Sequence, residues 1–177
     1  MFIQRALCLL LVFGLSGGCG YRLSHSPQAG KPPVTIAITT FENDTLEPGI
    51  ELMLGSALIS EFARPGRVRG VENSSSPDYT LKGSVKAVNT ASRTLTTNIR
   101  AIEFTISVRI DPVLVRNSDG RTLKLDRLSR SANEVYLASF NLEISRKNRE
   151  EALRRITAVL ADRIYDDVEV LTDGADS

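Results

Sequence analysis

The residue with the most specific chemistry is Cys19, which closes the run Leu15-Ser16-Gly17-Gly18-Cys19. Small side chains before a cysteine let a peptidase reach the backbone. The thiol is then free to take a diacylglyceryl group before cleavage, and the new amino group takes an acyl chain. This is the chemistry of a lipobox. The form departs from the usual one, because Ser16 stands three residues before the cysteine and the leucine is one place further back. The segment before it suits export. Arg5 is a short positive n-region, and Ala6 to Leu15 is an apolar run too short to cross a bilayer but long enough for a signal h-region. Cys8 lies inside that run and leaves with it. Two or three acyl chains on Cys19 make a stable anchor where one chain is marginal.

The other reactive side chains offer little. The single His, His25, lies in the Ser/Pro/Gly stretch Ser24 to Pro33, which reads as a tether and gives it no metal or acid–base partner. There is no G-x-S-x-G elbow, phosphate loop or dinucleotide fingerprint. Asp166 and Asp167 are adjacent, so on a helix they diverge by about 100° and do not form an acid/base pair. With two Cys and one His, a structural zinc site and a disulfide scaffold are excluded. The inventory points away from an enzyme and away from a cofactor other than covalent lipid.

The elements that surround these residues follow from periodicity. Val34 to Phe41 alternates apolar and small polar residues, as a half-buried strand does. Glu42-Asn43-Asp44-Thr45 is expected as a turn in which Asp44 or Thr45 caps a helix, with Pro48 in its first turn. Ile50, Met53, Leu54, Ala57, Leu58 and Phe62 then form one helical face, and Pro65-Gly66 ends it. Arg67 to Val71 returns as a strand parallel to the first.

A polar loop precedes a second alternating run. Tyr79 to Val88 places Leu81, Val85 and Ala87 on one side and Lys82, Ser84 and Lys86 on the other. Thr90 to Arg100 is a long polar turn or a continuation of the strands. Phe104, Ile106, Val108 and Ile110 alternate with Thr105, Ser107, Arg109 and Asp111, and Pro112 predicts a bulge or an edge. Asn117-Ser118-Asp119-Gly120 is a hairpin turn, after which Leu123, Leu125 and Leu128 complete an antiparallel meander. A last helix carries Leu153, Ile156, Leu160 and Ile164 on one stripe, with Glu150 and Glu151 near its start. Residues after Leu171 are expected to fray.

The sum is an α+β two-layer sandwich: one mixed sheet of about four to five strands, β-α-β then meander, with two helices packed on one face. The divisions expected are a signal peptide over 1–18, a lipidated start and tether over 19–33, a domain over 34–170 and a tail over 171–177. The opposite sheet face would show Thr35, Thr39, Lys82, Ser84, Lys86, Thr105, Ser107 and Arg109 to water or to a polar partner. Of 177 residues 42% are hydrophobic and 24% charged, an ordinary globular balance. Lys+Arg total 22 against 21 Asp+Glu, and loss of Arg5 with the leader leaves 21 of each. A neutral chain is a poor general nucleic-acid binder.

The order Cys19-Gly20-Tyr21-Arg22-Leu23, a first Ile/Val strand, Phe41-Glu42-Asn43-Asp44-Thr45, an apolar helix, long alternating strands and Asn148-Arg149-Glu150-Glu151-Ala152-Leu153 before a helix resembles the LptE family of lipopolysaccharide-assembly lipoproteins. The resemblance implies a protein in the lumen of the outer-membrane β-barrel LptD, anchored in the inner leaflet, which plugs that barrel, supports its assembly and assists lipopolysaccharide delivery. Gly20 after the lipidated cysteine fits outer-membrane sorting. Lipopolysaccharide carries phosphates, which guanidinium and ammonium groups hold by charge-assisted hydrogen bonds. The candidates are Arg93 and Arg100 in the long turn and Arg146 and Lys147 ahead of the last helix. A CsgG-like secretion lipoprotein or a module that binds peptidoglycan or another envelope complex shares the strand–helix start and stands as the alternative.

Overall fold

The computed structural model describes residues 32–71, 76–93 and 101–174. Cys8, Cys19, His25 and Arg100 lie outside them. The described residues run β1 (Val34–Ile38), β2 (Glu42–Asn43), α1 (Ile50–Phe62), β3 (Val68–Gly70), β4 (Tyr79–Ser92), β5 (Ala101–Arg116), β6 (Thr122–Lys124), β7 (Ser131–Ser139) and α2 (Leu142–Gly174), with a 3-10 turn at Leu128–Arg130. The sheet order is β3-β1-β4-β5-β6, with β2 also on β4 and β7 also on β5. Strands β1 and β3 are parallel with α1 crossing between them, and β1 is parallel to β4. From β4 onward the pairing is antiparallel. This is the expected α+β sandwich with both helices on one face, built on seven strands because short β2 and β6 and the nine-residue β7 join the sheet.

The core explains the layers. From the sheet, Ile36, Leu81, Val85, Ile106, Val108, Ile110 and Leu114 are buried. They meet Ile50, Leu54, Leu58 and Phe62 of α1 and Leu153, Ile156, Leu160 and Ile164 of α2. Each helix therefore buries the stripe that its spacing predicts. Phe62 meets Tyr165 edge-on, with ring centroids 5.2 Å apart, and burial pushes the Tyr165 hydroxyl up from its ordinary value.

The inward row of β4 does not keep one parity. Val85 faces Ile110, Ala87 faces Arg109, and Lys86 is left over as a bulge. Beyond it Val88 faces Val108, so Val88 takes the core side that strict alternation assigns to Ala87. A single extra residue exchanges the two faces of everything after it. Pro112 sits opposite Gly83. On the other edge of β5, β7 stops at Arg109 and β6 starts at Val113, so the proline falls in the gap between them. Ser84 is buried rather than displayed, with β2 paired beside it at Glu42.

The expected start of α1 is also corrected. The turn at Asn43 to Thr45 does not cap the helix, which begins at Ile50 after Gly49 in the left-handed region at φ 82°. Instead Asn43 ties the turn together. Its Oδ1 accepts from the Thr45 N–H at 3.0 Å and the Thr45 hydroxyl at 2.7 Å, and its Nδ2 donates to Glu47 O at 2.8 Å and Glu51 Oε2 at 2.7 Å. Glu47 then receives both arms of the Arg149 guanidinium, at 2.6 Å each. That bidentate bond holds Arg149 above its ordinary pKa and joins the turn to α2. Both side chains keep some solvent, at 21% for Glu47 and 33% for Arg149. Glu47→Gln is therefore expected to cost about 1–2 kcal/mol, below the loss for a fully buried pair. A double-mutant cycle with Arg149→Gln checks it, and additive losses would show that the two do not interact.

Helix α2 is longer at both ends than its apolar stripe suggests. It continues to Gly174 with Thr172 buried, where fraying after Leu171 was expected. Its 33 residues span about 50 Å. It also covers the outer edge of β7: the carbonyls of Ser131, Leu137 and Ser139 accept from Arg163, Asn148 and Ser145. Side chains of a helix thus occupy polar groups that an open strand edge would offer to another chain.

Candidate functional site

The long strands place the candidate residues at one end of the molecule. Strand β1 pairs with the beginning of β4, Ile36 beside Tyr79, so the chain enters at that end. The fourteen residues of β4 carry the sheet about 45 Å away to a second end. There β4 finishes at Ser92, β5 starts, β7 finishes and α2 starts. Strand pairing and hydrogen bonds run from Arg93 to Asn148, the neighbour of Lys147. The Arg93 N–H donates to Glu103 O at 2.9 Å, Glu103 is paired with Leu137, and Leu137 O accepts from Asn148 Nδ2 at 2.8 Å. Arg93 and Lys147 are exposed, and neither has an ion-pair partner among the described residues.

Arg146 is different. It and Lys147 were expected in a loop before the last helix, but α2 begins at Leu142, so both sit within its first two turns. Arg146 donates to Glu143 at 2.7 Å and lies 3.7 Å from Glu150. The Arg146 guanidinium holds the Glu143 carboxyl below its ordinary range. Its charge is already answered within the helix, which leaves Lys147 and Arg93 as the cations of the set with no ion pair among the described residues. The signal that hid this start is the sequence Phe140-Asn141-Leu142-Glu143-Ile144, which alternates like a strand. Asn141 overrides it by capping the helix, its Oδ1 accepting from the Glu143 N–H at 3.0 Å and the Ile144 N–H at 3.3 Å.

That alternating stretch supplies residues which the charge argument did not single out. Phe140 is 88% exposed, Leu142 82%, Leu137 49% and Ile144 48%. They stand on a well-held turn. Ser139 N–H donates to Ser145 Oγ at 2.8 Å, and Ser145 Oγ donates to Ser139 O at 2.7 Å. Exposed leucines scattered singly need no explanation; here four large exposed apolar residues lie at the same end of the sheet as Arg93 and Lys147. The pairing of apolar bulk with basic groups suits an amphiphile that has an anionic head.

Asp167 binds the Ser129 hydroxyl at 2.6 Å and the Asp126 N–H at 2.7 Å, which pins the 3-10 turn to α2. Among the described residues no three His, Cys, Asp or Glu side chains gather as a metal set. No described helix is long and apolar enough to cross a membrane.

The family described as LptE, lipopolysaccharide-assembly, matches residues 34–168. The chain belongs to the LptE family. The match spans β1 through most of α2, so the long sheet and the basic, apolar end are both inside the LptE-like region. No curated protein matches the chain. Among solved structures, a Caulobacter crescentus CB15 protein assigned as a lipoprotein is 17% identical, with a TM-score of 0.51 over 77% of this chain and 92% of that one. It shares the fold. Lipoprotein B of Nitrosomonas europaea (15% identity, TM-score 0.47, 80% of this chain and 86% of that one) is a more distant likeness. So is PelC of Paraburkholderia phytofirmans (17% identity, TM-score 0.43, 74% and 87%).

Proposed function

We propose that this LptE-family protein is anchored in the inner leaflet of the outer membrane by lipid on Cys19, seats in the lumen of the LptD β-barrel as its plug and assembly partner, and assists lipopolysaccharide transport to the cell surface. The observation that carries the reading is the family match over residues 34–168. The layout of the molecule supports it. The tether enters at one end of the sheet, while the apolar and basic surface lies at the other, about 45 Å on. A protein held at a membrane by one end and offering an amphiphile-binding surface at the other can reach along a barrel. The cations Arg93, Arg100, Arg146 and Lys147 are the proposed contacts for the phosphates, with Arg93 and Lys147 foremost. The work is binding and assembly, with no turnover and no cofactor beyond the covalent lipid.

The experiment is co-purification from detergent-solubilised outer membrane. One large barrel protein is expected at a 1:1 ratio, and depletion is expected to lower surface lipopolysaccharide. A homo-oligomeric ring with no barrel attached would sink the reading in favour of a secretion lipoprotein.

A further inference from the structure

Most edges of the sheet are short or covered. Strands β3 and β6, at the two ends of the sheet order, have three residues each. The outer edge of β7 is met by side chains of α2. Strand β4 is the exception. On one side it pairs with β5 from Tyr79 to Ser92. On the other it pairs with β1 from Tyr79 to Leu81 and with β2 at Ser84 and Val85, and no described strand continues that row. Two bonds fix which backbone groups point outward along the open stretch. Val85 O accepts from the Asp44 N–H at 3.0 Å on the β2 side, while the Arg93 N–H donates to Glu103 O at 2.9 Å on the β5 side. Both are odd-numbered, because the extra residue at Lys86 reverses the side. Counting back from Arg93, residues Ala91, Asn89 and Ala87 turn their N–H and C=O groups to β5. Val88, Thr90 and Ser92 turn theirs away from it.

Open edges are templates for another strand, and native proteins guard them with charge, proline or a bulge. Here the bulge and Lys86 come before the open stretch, and Lys86 is held by Asp44 at 2.6 Å. Ala87-Val88-Asn89-Thr90-Ala91-Ser92 holds neither charge nor proline. We infer that this edge takes an extended segment of a second protein as an added strand; the identity of that protein as the barrel rests on the function proposed above. Val88 packs at the margin of the core, and Leu46, in the turn after β2, is fully exposed. The added strand therefore carries apolar side chains at alternate positions on the helix-covered face. Two other occupants fit less well. The chain's own tether is too short. Pro32 lies four residues before Ile36, which is level with Tyr79, and Val88 lies nine residues further along β4. That distance is about 43 Å, nearly all that the 13 steps from Cys19 to Pro32 can span. A second copy related by a two-fold axis pairs its β4 antiparallel. The two chain entries then point in opposite directions, which does not suit two acyl anchors in one leaflet.

The test is amide hydrogen exchange at single-residue resolution on the acylated protein in dodecyl maltoside, alone and in the complex co-purified from outer membrane. The Val88, Thr90 and Ser92 amides should exchange about tenfold or more slowly in the complex than alone, and the Asn89 and Ala91 amides slowly in both. Thr90→Pro removes an outward donor and leaves the bonds to β5 intact, so it should cut the barrel recovered about tenfold. Thr90→Val keeps that N–H and should leave recovery unchanged. If Thr90→Pro unfolds, the exchange pattern of the wild-type complex decides. Unchanged exchange at Val88, Thr90 and Ser92 in a recovered complex, or full recovery with a folded Thr90→Pro, overturns this inference and leaves the barrel reading standing. Slow exchange in the isolated protein that grows with concentration makes a second copy the occupant and overturns the barrel segment. Slow exchange there at every concentration means that the chain closes its own edge, which overturns it as well. Recovery of no barrel overturns both readings.

Discussion

Gly83→Ala should lower the melting temperature by roughly 10 °C, a loss of about 3 kcal/mol for a domain of this size. The reason is the meeting of three chain segments at one point. A methyl group on Gly83 would stand 2.5 Å from Asp111 O, 2.7 Å from Phe41 Cε1 and 2.9 Å from Pro112 Cα. Two of those atoms are backbone of the paired strand β5, so rotation of a side chain cannot relieve the clash. Phe41 reaches this spot because the chain takes four steps from Ile38 to Glu42 while β4 takes three from Leu81 to Ser84, which drops the ring into the core. Phe41→Leu should therefore not rescue the variant. Gly55→Ala is the control with the opposite sign. That position lies within α1, a methyl group there meets nothing within 4 Å, and alanine should stabilise by about 0.5–1 kcal/mol. Thermal melts of both variants decide the matter. A Gly83→Ala protein as stable as wild type would mean that Gly83 and Pro112 are not paired.

The double variant Phe140→Ser/Leu142→Ser should bind lipopolysaccharide roughly 100-fold more weakly while melting at the wild-type temperature. Both side chains are almost fully exposed, so their loss removes no internal packing and surface changes of this kind are near neutral for folding. If acyl chains cover them in the complex, each contributes about 1.5 kcal/mol, and two make about 3 kcal/mol. The basic contacts separate cleanly from the apolar ones. Arg93→Glu and Lys147→Glu should weaken binding most at low salt, because exposed charges are screened over about 8 Å at physiological ionic strength. The Phe140/Leu142 loss should persist at high salt. Unchanged affinity in the double variant would remove the far end of the sheet from the lipid contact and leave barrel docking as its use.

Much of the architecture was legible because burial imposes a period. The stripes on α1 and α2 and the alternation in β5 each require one face to leave water, so apolar spacing shows the element type and the layer. The Asn117 to Gly120 turn was legible for a local reason, since the Gly120 N–H closes back on Arg116 O at 2.9 Å and that geometry belongs to the five residues from Arg116 to Gly120. β7 escaped notice because its inward side carries Ala132, Glu134, Tyr136 and Ala138, a row with no strong apolar signal. Its place is set by pairing with β5, and the salt bridge from Glu134 to Arg155 accommodates the charge.

The amino-acid sequence by itself determined the α+β class, the two apolar helix faces, the lipobox form around Cys19 and the family to which the chain belongs. These are properties of neighbouring residues and their spacing. Only the tertiary structure decided the parity of β4 beyond Lys86, the helical setting of Arg146 and Lys147, and the grouping of Phe140, Leu142 and Ile144 at the same end of the sheet as Arg93 and Lys147. The physical reason is that each depends on a partner far along the chain. A bulge is counted against the opposite strand, a cap competes with strand-like alternation, and a cation is free or spent according to which carboxylate the fold brings to it.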